Sequence, residues 1–147
     1  MQRIGFISSI VPKIGVQSSR PKSKPSCTPI TWASSKKLSS PARRIGGVDD
    51  HVHALFLLSK NYALKDIVEE VKKGSYKWIK SSEGTGNNSF YWQGGYGAFS
   101  VSESNVDSVV KYIENQAEHH KTMTFQEELR KLFKLHEIEF DERYVWE

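Results

Sequence analysis

From residue 45 onward, the sequence predicts one domain built of both strands and helices. Two segments read as strands, three segments carry apolar residues at helical spacing, and turn-forming residues separate them. The chain of 147 residues is long enough for one domain with a modest core.

The first two elements are a strand over residues 45–58 and a helix over residues 62–80. The strand is apolar towards its end and holds the turn-forming pair Gly46-Gly47 early on. The helix has acids near its start and lysines towards its end, which suits the helix dipole. The loop that follows, residues 81–89, is rich in serine, glycine and asparagine.

The rest of the chain repeats the order of strand and helix. Residues 90–101 predict a strand interrupted by a glycine pair. Ser104 can begin the next helix in a capping box with Asp107. Residues 124–135 predict a third helix. The apolar stripe of the second helix comprises Val106, Val109, Val110, Ile113 and Ala117.

Residues 1–44 differ from the rest in composition. They hold all five prolines, interleaved with serine pairs. Such a segment buries too little apolar surface to offset the cost of ordering it, so we predict a disordered, basic Pro/Ser-rich segment. It could be a transit peptide, a basic arm that contacts phosphates, or sequence under no folding constraint from a wrong start site or shifted frame. The abrupt change at Ile45 favours the last interpretation.

The charge distribution, the cysteine count and the length of the apolar runs limit the classes of protein that the chain can belong to. Residues 1–47 carry nine of the 21 basic residues and none of the 17 acids, so the rest has a net charge of −5 and charge alone does not indicate nucleic-acid binding. The single cysteine, Cys27, excludes an internal disulfide and fits a reducing compartment. The longest apolar run, residues 54–58, is far shorter than the roughly 20 residues of a membrane span.

His51 and His53 are the first candidates for chemistry. Side chains alternate along a strand, so both histidines point to one face, roughly 7 Å apart along it. Two imidazoles on one face can bind one metal ion. The alternative is two partly exposed histidines at a strand end, and a lone pair at this spacing does not exclude it.

The second helix carries another polar set. Tyr112, Gln116 and His119 lie on one side of it, at the margin of the apolar stripe. Taken alone, an amphipathic helix with a solvated glutamine explains them better. Together with the histidines they suggest more, because tyrosine can attack phosphorus when a metal ion polarises the phosphoryl group.

These residues jointly resemble the single-tyrosine HUH transposases, which include prokaryotic insertion-sequence transposases and REP-associated enzymes. HVH in GGVDDHVHALFLL is similar to their His-hydrophobic-His motif, and YIENQAEHH to their catalytic helix. WQGGYGAFSVSESN and FDERYVW resemble their central strand and C-terminal end. The resemblance covers about residues 45–147, and its motifs are jointly specific.

The resemblance implies a ferredoxin-like α+β domain with helices on one face of its sheet, acting as a homodimer in a prokaryotic cytoplasm. It implies metal-dependent cleavage and rejoining of single-stranded or hairpin DNA through a 5′-phosphotyrosine link. Tyr112 would be the nucleophile. His51, His53 and Gln116 would bind Mg²⁺ or Mn²⁺.

Residues 1–44 depart from the family pattern, in which a strand and a helix complete the sheet before the histidine strand. We therefore expect a sheet that lacks the family's first strand and helix, which would expose apolar surface and unpaired backbone. The alternative to an active transposase is then an inactive remnant that at most binds nucleic acid. A metal hydrolase that uses water is a third hypothesis.

Four lysines near the end of the first predicted helix are candidates for DNA binding. They could neutralise phosphates while neighbouring aromatic side chains stack on unpaired bases. A solvated helix end that complements the dipole explains them equally well. The lysines are Lys72, Lys73, Lys77 and Lys80.

Overall fold

The computed structural model describes residues 3–10, 12–14, 38–48, 51–82 and 90–146. The strands are β1 (Arg3–Ile10), β2 (Pro12–Ile14), β3 (Ala42–Gly47), β4 (Val52–Leu58), β5 (Phe90–Trp92) and β6 (Gly97–Val101). The helices are α1 (Leu64–Ser82), α2 (Val106–Glu114), α3 (Gln116–His119) and α4 (Phe125–Leu135), with a 3₁₀ turn over Glu103–Asn105. Four strands form an antiparallel sheet in the order β3-β4-β1-β6, and β2 pairs with β5 separately. The α+β class is confirmed.

The inner position of the sheet is filled by β1, contrary to the expectation of a missing first strand. Its backbone pairs antiparallel with β4 on one side and β6 on the other. The prediction of a sheet without this strand is therefore wrong. The prediction was based on local composition, whereas β1 is stabilised by pairing with strands that are distant in sequence. The helix expected to be missing lies outside the described residues, as do residues 15–37 of the segment 1–44 that was predicted to be disordered.

The segment predicted as one strand over residues 45–58 is a β-hairpin. β3 and β4 run antiparallel, and Gly47 pairs with Val52 at the closed end. The Val48 N–H donates to the His51 carbonyl at 3.1 Å across the turn. β3 starts at Ala42, so paired backbone begins before the predicted boundary at residue 44. The glycine pair thus ends one strand instead of opening a longer one.

Helices cover both faces of the sheet, whereas the family fold led us to expect one face. Leu55 packs in a core cluster with residues of α2 and α4. Its neighbours Ala54 and Phe56 belong to a second cluster with Val68 and Val71 of α1. Since successive side chains on a strand point to opposite faces, α1 lies on one face and α2 with α4 on the other.

Gly46 sets the distance between α2 and the sheet. A Cβ atom added there would lie 2.7 Å from the Ile113 side chain and 2.8 Å from its carbonyl oxygen. Only a residue without a side chain permits this close approach. Because Gly46 is paired with His53 across the hairpin, the same contact brings Tyr112, the residue before Ile113, towards the histidines.

Helix capping differs from the prediction. Ser104 lies inside the 3₁₀ turn, and Asn105 precedes α2 without a side-chain capping hydrogen bond, so the predicted Ser104–Asp107 box is wrong. A complete capping box starts α4 instead, where Thr124 and Glu127 exchange hydrogen bonds. This cap fixes the start of the helix that carries Glu128. No helix among the described residues is long and apolar enough to span a membrane.

Candidate active site

The two histidines of the hairpin converge inside the protein. Both side chains are fully buried, and their Nε2 atoms lie 3.0 Å apart. His51 immediately precedes β4, and His53 is the second residue of that strand. The predicted common direction is confirmed, whereas the alternative of two partly exposed histidines at a strand end is not found. Two imidazoles that face one another in a dry interior need a shared proton or a shared cation.

Gln116 reaches the histidines from the other side. α2 ends at Glu114, and Gln116 opens the short helix α3 after the single residue Asn115. The Gln116 side chain is buried, and its Oε1 atom lies 3.1 Å from the His51 Nε2. The structure thus brings together the three side chains that the family resemblance implied as metal ligands.

Tyr112 is the fourth member of this group. Its ring lies 5.8 Å from that of His53, centroid to centroid, and its side chain is half-buried. The hydroxyl donates a hydrogen bond to Glu128 Oε1. Burial raises the pKa of Tyr112 above its ordinary value, and the bond to Glu128 raises it further. In this arrangement the phenol keeps its proton.

Glu128 lies at the centre of the site. It is almost fully buried on α4, and Gln116 Nε2 donates to its Oε1 at 3.2 Å. Burial alone would raise the pKa of Glu128, but the hydrogen bonds to His51 and His53 outweigh it and hold the pKa far below its usual range. The carboxylate is therefore charged.

His120 completes the group. Its Nε2 lies 3.1 Å from Glu128 Oε2, and its ring contacts that of His51 at 4.4 Å between centroids. Burial lowers the pKa of His53 below its ordinary value, and the contact with Glu128 only partly opposes this. We call His51, His53, His120 and Glu128 the histidine–glutamate cluster. One donor atom from each lies within 4.8 Å of all the others.

Sequence reasoning did not select His120 or Glu128, although both left a signal. His120 stands four residues after Gln116, on the same side of the helix pair. Glu128 interrupts the apolar stripe of α4, whose buried residues are Phe125, Leu129 and Phe133. An acid at an apolar position of an amphipathic helix indicates a buried partner. His119, which sequence reasoning did notice, contacts the Tyr112 ring instead.

The four candidate DNA-binding lysines lie on α1, the helix that packs on the other face of the sheet. Lys72 donates to the carbonyl oxygens of Gln93, Gly94 and Gly95 at 2.6, 3.2 and 3.1 Å. Lys73 forms an exposed ion pair with Glu69. Lys80 lies over the Tyr76 ring, and Lys77 is exposed. The structure does not bring these lysines into the histidine–glutamate cluster.

Comparisons with known proteins identify a family and a similar fold. The family model described as "Transposase IS200 like" matches residues 10–116. A solved structure described as a candidate transposase from Deinococcus radiodurans R1 is similar in fold. It has 19% sequence identity and a TM-score of 0.55, over 79% of this chain and 92% of that one. A search of curated proteins gives no match.

The family match identifies this fold as a transposase domain. The chain belongs to the IS200-like transposase family, whose model covers most of its length. Membership implies a DNA substrate. The match begins at residue 10, well before Ile45, so the family-like part of the chain is longer than the motifs alone indicated.

Proposed function

We propose that this protein cleaves and rejoins single-stranded DNA, with Tyr112 as the nucleophile. The observation that carries the proposal is the placement of the Tyr112 hydroxyl on the same carboxylate that the buried histidines contact. A tyrosine held beside metal-ligand side chains has the parts that nucleophilic phosphoryl transfer needs.

In the proposed step, Tyr112 Oη attacks a backbone phosphorus and forms an O–P bond. The bond from phosphorus to the 3′ oxygen breaks, which leaves a 5′-phosphotyrosine and a 3′-hydroxyl. The phenolic proton ends, in the overall balance, on the 3′ oxygen. Rejoining reverses the step, because the 3′-hydroxyl attacks the phosphotyrosine and restores the phenol. Glu128 fixes the direction of the Tyr112 hydroxyl before attack.

The donor atoms present fit a divalent cation. His51, His53 and Gln116 offer two imidazole nitrogens and an amide oxygen, and His51 Nε2 lies 3.0 Å from His53 Nε2 and 3.1 Å from Gln116 Oε1. An ion bound there, Mg²⁺ or Mn²⁺ in the family pattern, would withdraw charge from the non-bridging phosphate oxygens and orient the scissile bond. The chain's own part is to keep these donors in a dry and fixed arrangement.

DNA contacts are a further part of the proposal. Lys72, Lys73, Lys77 and Lys80 stay our candidates for phosphate contacts, and Lys73 and Lys77 lie at exposed positions. Hairpin substrates and a homodimeric assembly are the arrangements that the family resemblance implies.

The inactive-remnant alternative loses its main support, because β1 fills the inner strand position that it required to be empty.

The test is formation of a covalent protein–DNA adduct. The full chain is incubated with end-labelled hairpin oligonucleotides in Mn²⁺ and analysed on denaturing gels. We expect a labelled adduct from wild type and from Tyr62→Phe, an exposed-tyrosine control, and none from Tyr112→Phe. Equal, background-level signal from all three proteins would contradict the proposal. Strand cleavage without adduct in Tyr112→Phe would favour the water-using hydrolase.

A further inference from the structure

We propose that a cavity next to the histidine–glutamate cluster binds one unpaired base of the DNA strand. The cavity has a volume of about 200 Å³ and lies between the start of β6, helix α4 and the C-terminal turn, residues 142–146. The inference rests on the proposed function, because it takes single-stranded DNA as the substrate. It goes beyond that function by assigning a subsite whose lining residues differ from Tyr112 and from the metal-ligand candidates.

The cavity lies on the face of the sheet that carries Tyr112. Gly97, which lines the cavity, is the first residue of β6, and Phe99 belongs to the core cluster against which Tyr112 packs. Residues two apart on a strand point to one face, so a side chain at position 97 would project towards α4. Glycine leaves this space open, as it does where a ligand approaches a strand closely.

The register of the sheet places the cavity near the histidines. Gly97 pairs with Ser8 of β1, and Ser8 pairs with His53 of β4. Neighbouring strands lie about 4.8 Å apart, so the backbones of Gly97 and His53 are roughly 10 Å apart across the sheet. Phe125 spans this interval, because its ring lies 4.8 Å from that of His51, centroid to centroid, and also lines the cavity. A base close to the reacting phosphate is therefore within reach of the cavity.

The lining suits a flat ring. One wall consists of buried apolar side chains of α4, namely Phe125, Leu129 and Phe133. The exposed side chains of Tyr96 and Tyr144 lie at the opening. Aromatic side chains bind unpaired bases by stacking, since every base has a π-face. An apolar cavity of about 150 Å³ holds a benzene ring, so this cavity has room for one ring of a base.

The walls of the cavity are fixed by polar contacts from outside it. Gln93 and Gly95 line one side, and their carbonyl oxygens accept hydrogen bonds from Lys72 Nζ at 2.6 and 3.1 Å. On the other side, Arg130 of α4 donates two hydrogen bonds to Glu142, at 2.6 and 2.9 Å, and so holds the C-terminal turn. A ligand that enters a pre-formed site pays less conformational entropy on binding.

The experiment is a scan with abasic nucleotides. The full chain, with a chelator present so that binding is measured without cleavage, is titrated with fluorescent hairpin oligonucleotides that carry a single-stranded extension. In each oligonucleotide one nucleotide of the extension lacks its base. We expect one position at which loss of the base weakens binding on the order of tenfold, as loss of one stacked base does.

Two substitutions connect that position with the cavity. Val145→Phe places a larger side chain at a lining residue and fills the space. It should bind the intact oligonucleotide as weakly as wild type binds the abasic one, and removal of the base should then change nothing further. Tyr144→Ala, at an exposed position, should reduce the effect of the missing base without disturbing the fold. Tyr62→Ala, an exposed tyrosine that does not line the cavity, should respond to the missing base as wild type does.

This comparison separates a base subsite from a gap in packing. A flat scan would overturn the assignment, and so would an equal loss at the responsive position in wild type, Val145→Phe and Tyr144→Ala. The outcome is distinct from that of the adduct assay. Adduct formation by Tyr112 with a flat scan contradicts only the subsite, whereas a responsive position without any adduct contradicts only the nucleophile.

Discussion

The histidine–glutamate cluster and the lysine-bearing part of α1 are both polar, but they are organised differently. The cluster joins side chains from the β3–β4 turn, β4, the end of α3 and α4 around one carboxylate in the interior. The lysines each have a local environment: backbone carbonyls for Lys72, an acid one turn away for Lys73, and a tyrosine ring for Lys80. Only the first region directs its groups at a common point.

This difference separates a site from a surface. Burying several titratable groups together costs free energy that ordinary folding does not require, so convergence from four segments indicates a purpose beyond stability. Charged residues along a helix end arise for solubility and dipole complementarity alone. Substitutions in the cluster and in the lysine-bearing part of α1 should therefore have different effects.

The largest change in the free energy of unfolding should come from Gly46→Ala, because Gly46 sets the distance between the sheet and α2. The new Cβ would lie 2.8 Å from the Ile113 carbonyl oxygen, so α2 must move away from β3. We expect a loss of about 1–3 kcal/mol in the free energy of unfolding, measured by urea denaturation, as in other overpacked positions. Gly94→Ala, in the loop held by Lys72, meets no atom within 4 Å and should change stability by less than about 0.5 kcal/mol. Equal effects at both glycines would contradict the close packing of α2.

Acid should destabilise the metal-free protein through the cluster. The pKa of His53 is lowered in the folded state, so its contribution is present above the unfolded value of 6.5 and is lost as pH falls below it. The pKa of Glu128 is also lowered, so its contribution is lost below the unfolded value of 4.5. Each group adds a slope of at most about 1.4 kcal/mol per pH unit in its own window.

The groups that face His53 are Glu128, His51, His120 and Tyr112. Denaturation midpoints measured between pH 7.5 and 4 should therefore fall, beginning near pH 6.5. His53→Asn should give a shallower fall between pH 6.5 and 5. An unchanged slope in that variant would show that other groups cause the acid sensitivity.

Lys72→Met should lower the free energy of unfolding by less, and the change should be confined to the lysine-bearing part of α1 and the loop that Lys72 contacts. The substitution keeps most of the aliphatic stem but removes the ammonium that donates to three carbonyl groups between β5 and β6. We expect a loss of about 1 kcal/mol, reduced from the value for fully buried charged hydrogen bonds because the side chain is only half-buried. Faster hydrogen exchange over residues 91–97 would report the released loop. Lys77→Met, at an exposed position, should leave both quantities unchanged.

The sequence predicted the parts of the site that lie close together along the chain. His51 and His53 are two residues apart, and Tyr112 and Gln116 are four apart. The regular spacing of side chains along a strand or a helix is therefore enough to place each pair on one side of its element. Glu128 could not be placed in this way, because its role depends on which face of α4 meets the hairpin. That packing is fixed by tertiary contacts of Phe125, Leu129 and Phe133.

The main error in the predicted fold also arises because tertiary contacts leave little trace in the local sequence. β1 is stabilised by pairing with β4 and β6, which are some 40 to 100 residues distant, and such pairing leaves little trace in local composition. The proline and serine content of the surrounding segment therefore dominated the prediction. The two-faced arrangement of helices was missed for a related reason. Ala54 to Phe56 form an uninterrupted apolar run that belongs to a strand buried on both faces, and the run itself does not say which helix covers which face.

The smallest predicted effect concerns DNA binding by the exposed lysines, and it decides whether the second region has a role beyond solubility. Each phosphate contact releases counterions, so removing one lysine that makes such a contact should lower the magnitude of the salt slope of binding by about 1 and weaken affinity a few-fold. We expect this for Lys77→Ala, measured by fluorescence anisotropy with a single-stranded oligonucleotide at several salt concentrations. Lys72→Ala should change the slope less, because its ammonium is already engaged by the Gln93, Gly94 and Gly95 carbonyls. If Lys77→Ala leaves the slope unchanged, this end of α1 is a solvated surface, and the DNA path must be sought on the face of the sheet that carries Tyr112.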